Sequence, residues 1–296
     1  TVGPVGFDEL GSGLLALSIE HDESIKDFKN LTDVIKAEGA VPWVQLFHAG
    51  AYSMPILIGG KQPIAPSPVY SSYSKTTPKE MTIDDIAEVQ NKFVLAATRA
   101  QEAGFMGVEI IGSAGYLVTQ FLSPLTNKRD DEYGGSFKNR MRFATELISK
   151  LRNRLGDDFP ITMRMAGNDF MPDSNDSTKT PEIAVAYEKA GIDAISVTGG
   201  WHETRVPQLS MDVPRGAFAY LAQNIKNHVS IPVLASNRIT DPQTAELILQ
   251  NESADIINMA RPLLADPYLP KKALEGNIHQ IRPCVACSQG CTDQIF

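Results

Sequence analysis

The chain has 296 residues, 43% of them hydrophobic and 21% charged, enough for one large barrel or two small domains. Its net charge of −8 is spread along the sequence, which argues against a nucleic-acid partner. No apolar run approaches the roughly 18 residues of a membrane span and no charged-then-apolar leader opens the chain, so the expectation is a protein with no membrane partner and a cytoplasmic location.

Thr1–Leu17 is Gly-rich and apolar and gives no clear element. Asp22–Gly39 predicts a helix with Ile25, Phe28, Leu31, Val34 and Ile35 on one face and a glycine near its end. Val41–Phe47 alternates too little for a half-exposed strand and suits a buried parallel one. Ala51–Met81, rich in Pro, Ser, Gly and Tyr, is too long for a bare connection; it predicts a lid or binding loop, against the plainer reading of a surface excursion. Thr82, with Asp85 three residues on, caps a helix to about Ala103 whose buried stripe is Ile86, Val89, Phe93, Ala97 and Ala100.

The stretch Gly104–Asn139 is the unit around which the chain is organised. Met106–Gly112 is an apolar run interrupted by Glu109 and reads as a buried strand; Tyr116 lies just past it, then a polar Thr126–Arg129 turn, and Gly134–Gly135–Ser136 opens a helix to Leu155. The unit then repeats: strand Pro160–Met165, helix Pro181–Ala190, strand Ala194–Val197, helix Gly216–Asn227, strand Ile231–Ala235, helix Pro242–Asn251 and strand Asp255–Met259. Strictly alternating β and α units predict an α/β fold, a TIM (β/α)8 barrel, although only six strands are countable where a closed barrel needs eight. An open doubly wound sheet is the plainer alternative, but no Gly-rich dinucleotide fingerprint supports it.

Tyr116, Arg164, His202 and Arg238 all end or follow successive strands, the face on which barrels collect reactive groups. A phenol with a pKa of about 10 is a proton donor near neutral pH. A core tyrosine and a structural histidine are the plainer readings of Tyr116 and His202. All three cysteines, Cys284, Cys287 and Cys291, fall in the last stretch as C-x2-C-x3-C, which favours a metal or cluster site over a disulfide framework.

GVEIIGSAGYLVTQFLSPLTNKRDDEYGGSFKNRMRF, from Gly107 to Phe143, resembles the signature of the Old Yellow Enzyme family of FMN-dependent oxidoreductases, which fold as TIM barrels; VQLFHAG, IAPSPV and TPKEMT resemble other family segments. Most simple members resemble EIHGAHGYL, with histidines where this chain has Ile111 and Ala114. GSAGYL, GWHE, VPRGAF and the cysteine spacing are instead similar to the branch containing bacterial 2,4-dienoyl-CoA reductase.

That resemblance implies Tyr116 as proton donor with His202 as its catalytic partner, Gln45 bonded to the isoalloxazine ring, and Arg164 beside the flavin pyrimidine. Ser236, Asn237, Arg238, Ala260 and Arg261 follow the last two strands, where a 5′-phosphate would bind; surface arginines are the plainer reading. It also implies that two strands lie upstream of Thr1. The chain is then divided into an N-terminally truncated FMN barrel over residues 1–275 and the truncated start of an iron–sulfur segment over 276–296. Cys284, Cys287 and Cys291 would hold a 4Fe-4S cluster whose fourth ligand is missing here, with zinc the competing metal. FAD and NADPH would bind in an absent C-terminal part.

The implied reaction is reduction of the C=C bond of a 2,4-dienoyl- or enoyl-CoA thioester, with hydride from FMN and a proton from Tyr116. Arg205 and Arg215 are placed to meet the CoA phosphates. Alternatives are an ene-reductase or bile-acid or steroid-CoA dehydrogenase of the same superfamily, and an inactive fragment unable to hold FMN.

Overall fold

The computed structural model describes residues 1–13 and 17–291. In chain order it contains β1 (Val2–Gly6), β2 (Leu17–Ser18), α1 (Ser24–Ala37), β3 (Val44–Leu46), β4 (Ile64–Ala65), β5 (Lys79–Glu80), α2 (Ile83–Glu102), β6 (Val108–Gly112), α3 (Leu117–Leu122), α4 (Phe137–Leu155) and β7 (Ile161–Ala166). There follow α5 (Thr180–Ala190), β8 (Ala194–Thr198), α6 (Ala219–Lys226), β9 (Val233–Ala235), α7 (Pro242–Gln250), β10 (Ile256–Ile257), α8 (Arg261–Ala265) and α9 (Leu269–Leu274).

Eight strands form one parallel sheet in the order β10-β9-β8-β7-β6-β3-β1-β2. The two-residue β2 adds beside β1 on the outer edge, whereas β1, β3, β6, β7, β8, β9 and β10 follow one another across the sheet in chain order with a helix between each pair. Seven parallel strands added in one direction are the order of a TIM barrel; a doubly wound sheet changes direction near its middle. The fold is the expected TIM-barrel architecture. Six strands are countable in the sequence, and the structure adds β1 and the two-residue β2 in the opening stretch, where the sequence shows no clear element. Gly3, Pro4 and Gly6 disguise β1. The register to β3 shifts between Val2 and Val5, an irregularity that accommodates a proline unable to donate to the ladder. Among the described residues no pairing joins β10 to β1 or β2, and Ile256 and Leu17 are 47% and 55% exposed at these edges.

Strand registers sort the side chains onto two faces. Val44 and Leu46 align with Val108 and Ile110, and these with Ile161 and Met163, then Ile195 and Val233. All are essentially buried beneath the helices. The alternate positions, Gln45, Glu109, Arg164 and Ser196, share the opposite face. Strands buried on both faces explain the near-continuous apolar runs.

Helix α2 begins with the expected capping box: Asp85 N–H donates to Thr82 Oγ1 at 3.1 Å, and Thr82 N–H donates to the Asp85 carboxylate at 2.9 Å. Such a cap is worth about 1 kcal/mol. The predicted stripe of α1 is corrected. Only Phe28 and Thr32 are buried, and Val34 is 65% exposed.

A charged cluster ties the start of the chain to the barrel. Lys92 on α2 donates to Asp8 Oδ2 at 2.5 Å, and His48 Nε2 lies 3.5 Å from Asp8 Oδ1. Burial alone would raise the Asp8 pKa, but His48 and Lys92 together hold it well below the usual carboxylate range.

Candidate active site

Tyr116 and His202 are brought together over the ends of β6, β7 and β8. Ala114 (φ 59°) and Gly115 (φ 87°) turn the chain after β6 through left-handed conformations. Gly115 is required twice over, because a Cβ there would sit 2.4 Å from the Tyr52 hydroxyl. Tyr116 then caps the short helix α3. The loop after β8 reaches back over β7: Ala114 and Trp201 form a parallel bridge, and His202 N–H donates to Ala114 O at 3.3 Å. His202 Nε2 and Tyr116 OH are thereby 2.7 Å apart. The sequence expectation of a Tyr–His pair is met in space.

An aromatic wall surrounds the pair. Phe47 lies edge-on to Tyr116 at 5.5 Å between ring centroids; Tyr52 and Tyr73 lie 5.9 and 5.2 Å from the His202 ring. Phe47, Ala49, Tyr52 and Ile111 form a separate apolar cluster against which Tyr73 and Tyr116 pack. Burial, and secondarily Tyr73, push the Tyr116 phenol upward, so it is a neutral donor at any ordinary pH. His202 opens to solvent at its outer edge, yet the crowding rings desolvate its imidazole and lower its pKa, against an opposing pull from Glu203. A neutral donor bonded to a histidine that can replace its proton is suited to protonating a carbanion.

The expected flavin residues divide into two groups. In the barrel interior, Gln45 Nε2 donates to Glu109 Oε1, and Arg164 Nη1 donates at 3.0 Å to Ser196 Oγ, which also accepts from Asn258 Nδ2 at 2.8 Å. Glu109, Ser196 and Asn258 are hydrogen-bonded into this candidate site, and sequence reasoning does not single them out as site residues. The available signal is a carboxylate interrupting a buried strand at Glu109.

At the ends of β9 and β10 lies a cationic corner. Ser236 Oγ donates to Val197 O, while Asn237 (φ 71°) and Arg238 (φ 55°) are consecutive left-handed residues without a glycine. Such strain is characteristic of ligand sites. Arg238 donates to Val213 O at 2.7 Å and Arg261 to Leu209 O at 2.6 Å, while Arg215 pairs with Asp241 at 3.0 Å. Burial first, then repulsion from Arg261 and Arg215, lowers the Arg238 pKa, with Cys284 opposing. Arg238, with Arg261 and Arg215 near enough to act on it and the amides of a strained turn beside it, makes a donor set for a phosphate, so the residues fit FMN. Ala260 contributes as the backbone residue capping α8.

The cysteine expectation fares differently. Among the described residues no three His, Cys, Asp or Glu side chains are gathered to hold a metal. Cys284 and Cys291 are half-buried and Cys287 is exposed, with left-handed backbone at Ala286 and Ser288 on either side of it. As arranged, the three thiols do not fit a cluster or zinc, and residues 292–296 lie outside the described region. Arg205 is exposed, and Arg215 pairs with Asp241 and lies near enough to Arg238 to help lower its pKa.

Residues 12–280 match the model of the NADH:flavin oxidoreductase / NADH oxidase family. The chain is 52% identical over 296 residues to a metal reductase of Desulforamulus reducens, covering all of this chain and 44% of that protein. It is 40% identical over 276 residues to an NADH oxidase of Thermoanaerobacter brockii, covering 93% of this chain and 42% of that one. Among solved structures, a 2-naphthoyl-CoA reductase in complex with 2-naphthoyl-CoA superposes with a TM-score of 0.93 at 35% identity, over 97% of this chain and 46% of that one. The chain thus spans less than half the length of these relatives.

Proposed function

The chain belongs to the NADH:flavin oxidoreductase / NADH oxidase family, and from that premise we propose that it is the FMN-binding part of an enzyme reducing the C=C bond of an α,β-unsaturated CoA thioester. The observation that carries this is the 2.7 Å Tyr116–His202 contact, a proton-delivering pair set in an aromatic wall at the mouth of a flavin barrel. FMN, when bound, supplies the hydride. Arg215, Arg238 and Arg261 would hold its phosphate, and Gln45 and Arg164 would meet its ring. Tyr116 places a proton on the α-carbon, and His202 stabilises or restores the phenol.

The 2,4-dienoyl-CoA reductase branch suits the Tyr–His pair because Ile111 and Ala114 offer no imidazole to a substrate carbonyl. The superposing 2-naphthoyl-CoA reductase supports a thioester by its own bound ligand. An iron–sulfur cluster at Cys284, Cys287 and Cys291 remains part of the proposal only with rearrangement of that segment. FAD and NADPH belong to the further length of its relatives.

A second reading is favoured by the 52% identity to a metal reductase. Electron transfer to a metal ion needs no proton donor. Assaying the FMN-loaded protein against a dienoyl-CoA, a steroid-CoA and a ferric chelate separates the readings. Preferential turnover of the dienoyl thioester supports the first, turnover of the chelate alone contradicts it, and protein that stays colourless with added FMN contradicts both.

A further inference from the structure

We propose that Glu203 is a positioning residue whose carboxylate clamps the 71–76 hairpin over the Tyr116–His202 pair. The inference rests on the reading of that pair as the proton-delivering site, and concerns what keeps it covered.

The hairpin is a preformed unit. Ser71 and Thr76 form an antiparallel bridge, with Ser71 N–H donating to Thr76 O at 2.9 Å. Ser74 Oγ donates to Ala51 O at 2.6 Å, which anchors its far side to the 3-10 turn Gly50–Tyr52. At its tip Tyr73 stacks obliquely on Tyr52 at 4.8 Å and faces the His202 ring at 5.2 Å. The hairpin therefore supplies one wall of the site, and something must hold that wall to the opposite loop.

Glu203 does so with both oxygens. Oε2 accepts from the Tyr52 hydroxyl at 2.7 Å and Oε1 accepts from the Ser72 hydroxyl. The donors lie 151 and 131 residues away in sequence. Hydrogen bonds to an ionised acceptor are roughly twice as strong as neutral ones, and two donors on two segments make a two-point tether. Because Glu203 is the next residue to His202, the same bonds fix the loop that carries the imidazole.

The carboxylate has a second effect through its charge. Tyr116 faces His202 from the loop after β6, Tyr52 from the 3-10 turn, Tyr73 from the hairpin, and Glu203 from its own loop. Of these four groups Glu203 is the one that acts on the imidazole through charge. It favours the protonated imidazole and so opposes the desolvation imposed by the rings. A step that uses the protonated imidazole slows as pH rises through the His202 pKa, and Glu203 moves that decline to higher pH.

Tether and charge are separable by substitution. Glu203→Ala removes both; Glu203→Gln removes the charge but keeps one acceptor oxygen; Ser72→Ala, at an exposed residue, removes one bond and keeps the charge. Two measurements on the full, FMN-loaded chain read them: hydrogen exchange of amides 71–76, and the pH profile of dienoyl-thioester turnover. The expected results are about tenfold faster exchange at 71–76 in Glu203→Ala, faster exchange with an unmoved alkaline limb in Ser72→Ala, and an alkaline limb at lower pH in Glu203→Gln. Parent-like exchange in Glu203→Ala, or a Glu203→Gln profile superimposing on the parent, overturns the proposal. Tyr116→Phe run alongside keeps the two claims apart: parent-like turnover there defeats the pair, while the exchange data still decide the clamp.

Discussion

Tyr116 and His202 are 86 residues apart in the chain and 2.7 Å apart in the fold. Each is legible because each follows a strand, and the barrel places such residues on one face. Their supporting residues are not legible: Tyr52, Tyr73 and Glu203 sit in segments with no periodicity, and their contacts depend on a loop returning across more than a hundred residues. Glu109 is visible as an interruption, but its partner Gln45 emerges only through the strand register. The arginines test the phosphate site. Arg238→Ala and Arg261→Ala should each weaken FMN binding about tenfold to a hundredfold, measured by quenching of FMN fluorescence, because a charge-assisted bond in a partly desolvated corner is worth about 1.5–3 kcal/mol. Affinity unchanged in both would remove that corner as the phosphate site.

At the scale of elements, the strands buried on both faces and the helices with clear caps, such as α2 behind Thr82, are readable from sequence. Not readable are α3, a six-residue helix too short to show a period, and β1, whose glycines and proline resemble a turn. The buried stripe of α1 is overestimated, because an apolar period marks a face without saying that anything covers it. Two predictions belong here. Gly115→Ala forces a Cβ into the Tyr52 hydroxyl at a left-handed position, so it should disrupt the β6–α3 turn and cost about 1–3 kcal/mol on chemical denaturation. Asp8→Asn leaves Lys92 and His48 without their shared anion and should cost about 3 kcal/mol by the same assay. The Asp8 pKa is depressed by folding, so its contribution is fully present above the unfolded carboxylate value of about 3.9 and is lost as pH falls through the lower folded value. The acid limb of the stability curve should therefore flatten in Asp8→Asn.

For the whole molecule, one parallel sheet carries the interior polar row, the Tyr–His mouth and the cationic corner, so ligand binding at any of them draws on the same cooperative unit. Saturating FMN should raise the thermal midpoint, with about 2.7 kcal/mol of stabilisation at a hundredfold excess over Kd, and Arg238→Ala should lose about half or more of that shift at the same FMN concentration. A melting curve indifferent to FMN would mean that the chain does not bind it. Among the described residues no helix is long and apolar enough to cross a membrane. The central claim is that Tyr116 delivers the proton in C=C reduction, and single-turnover kinetics tests it most directly. Prereduced, FMN-loaded parent and Tyr116→Phe proteins are mixed with a dienoyl-CoA thioester and followed at the flavin absorbance. The account predicts oxidation about a hundredfold slower in Tyr116→Phe at unchanged FMN affinity; equal rates in the two proteins would contradict it.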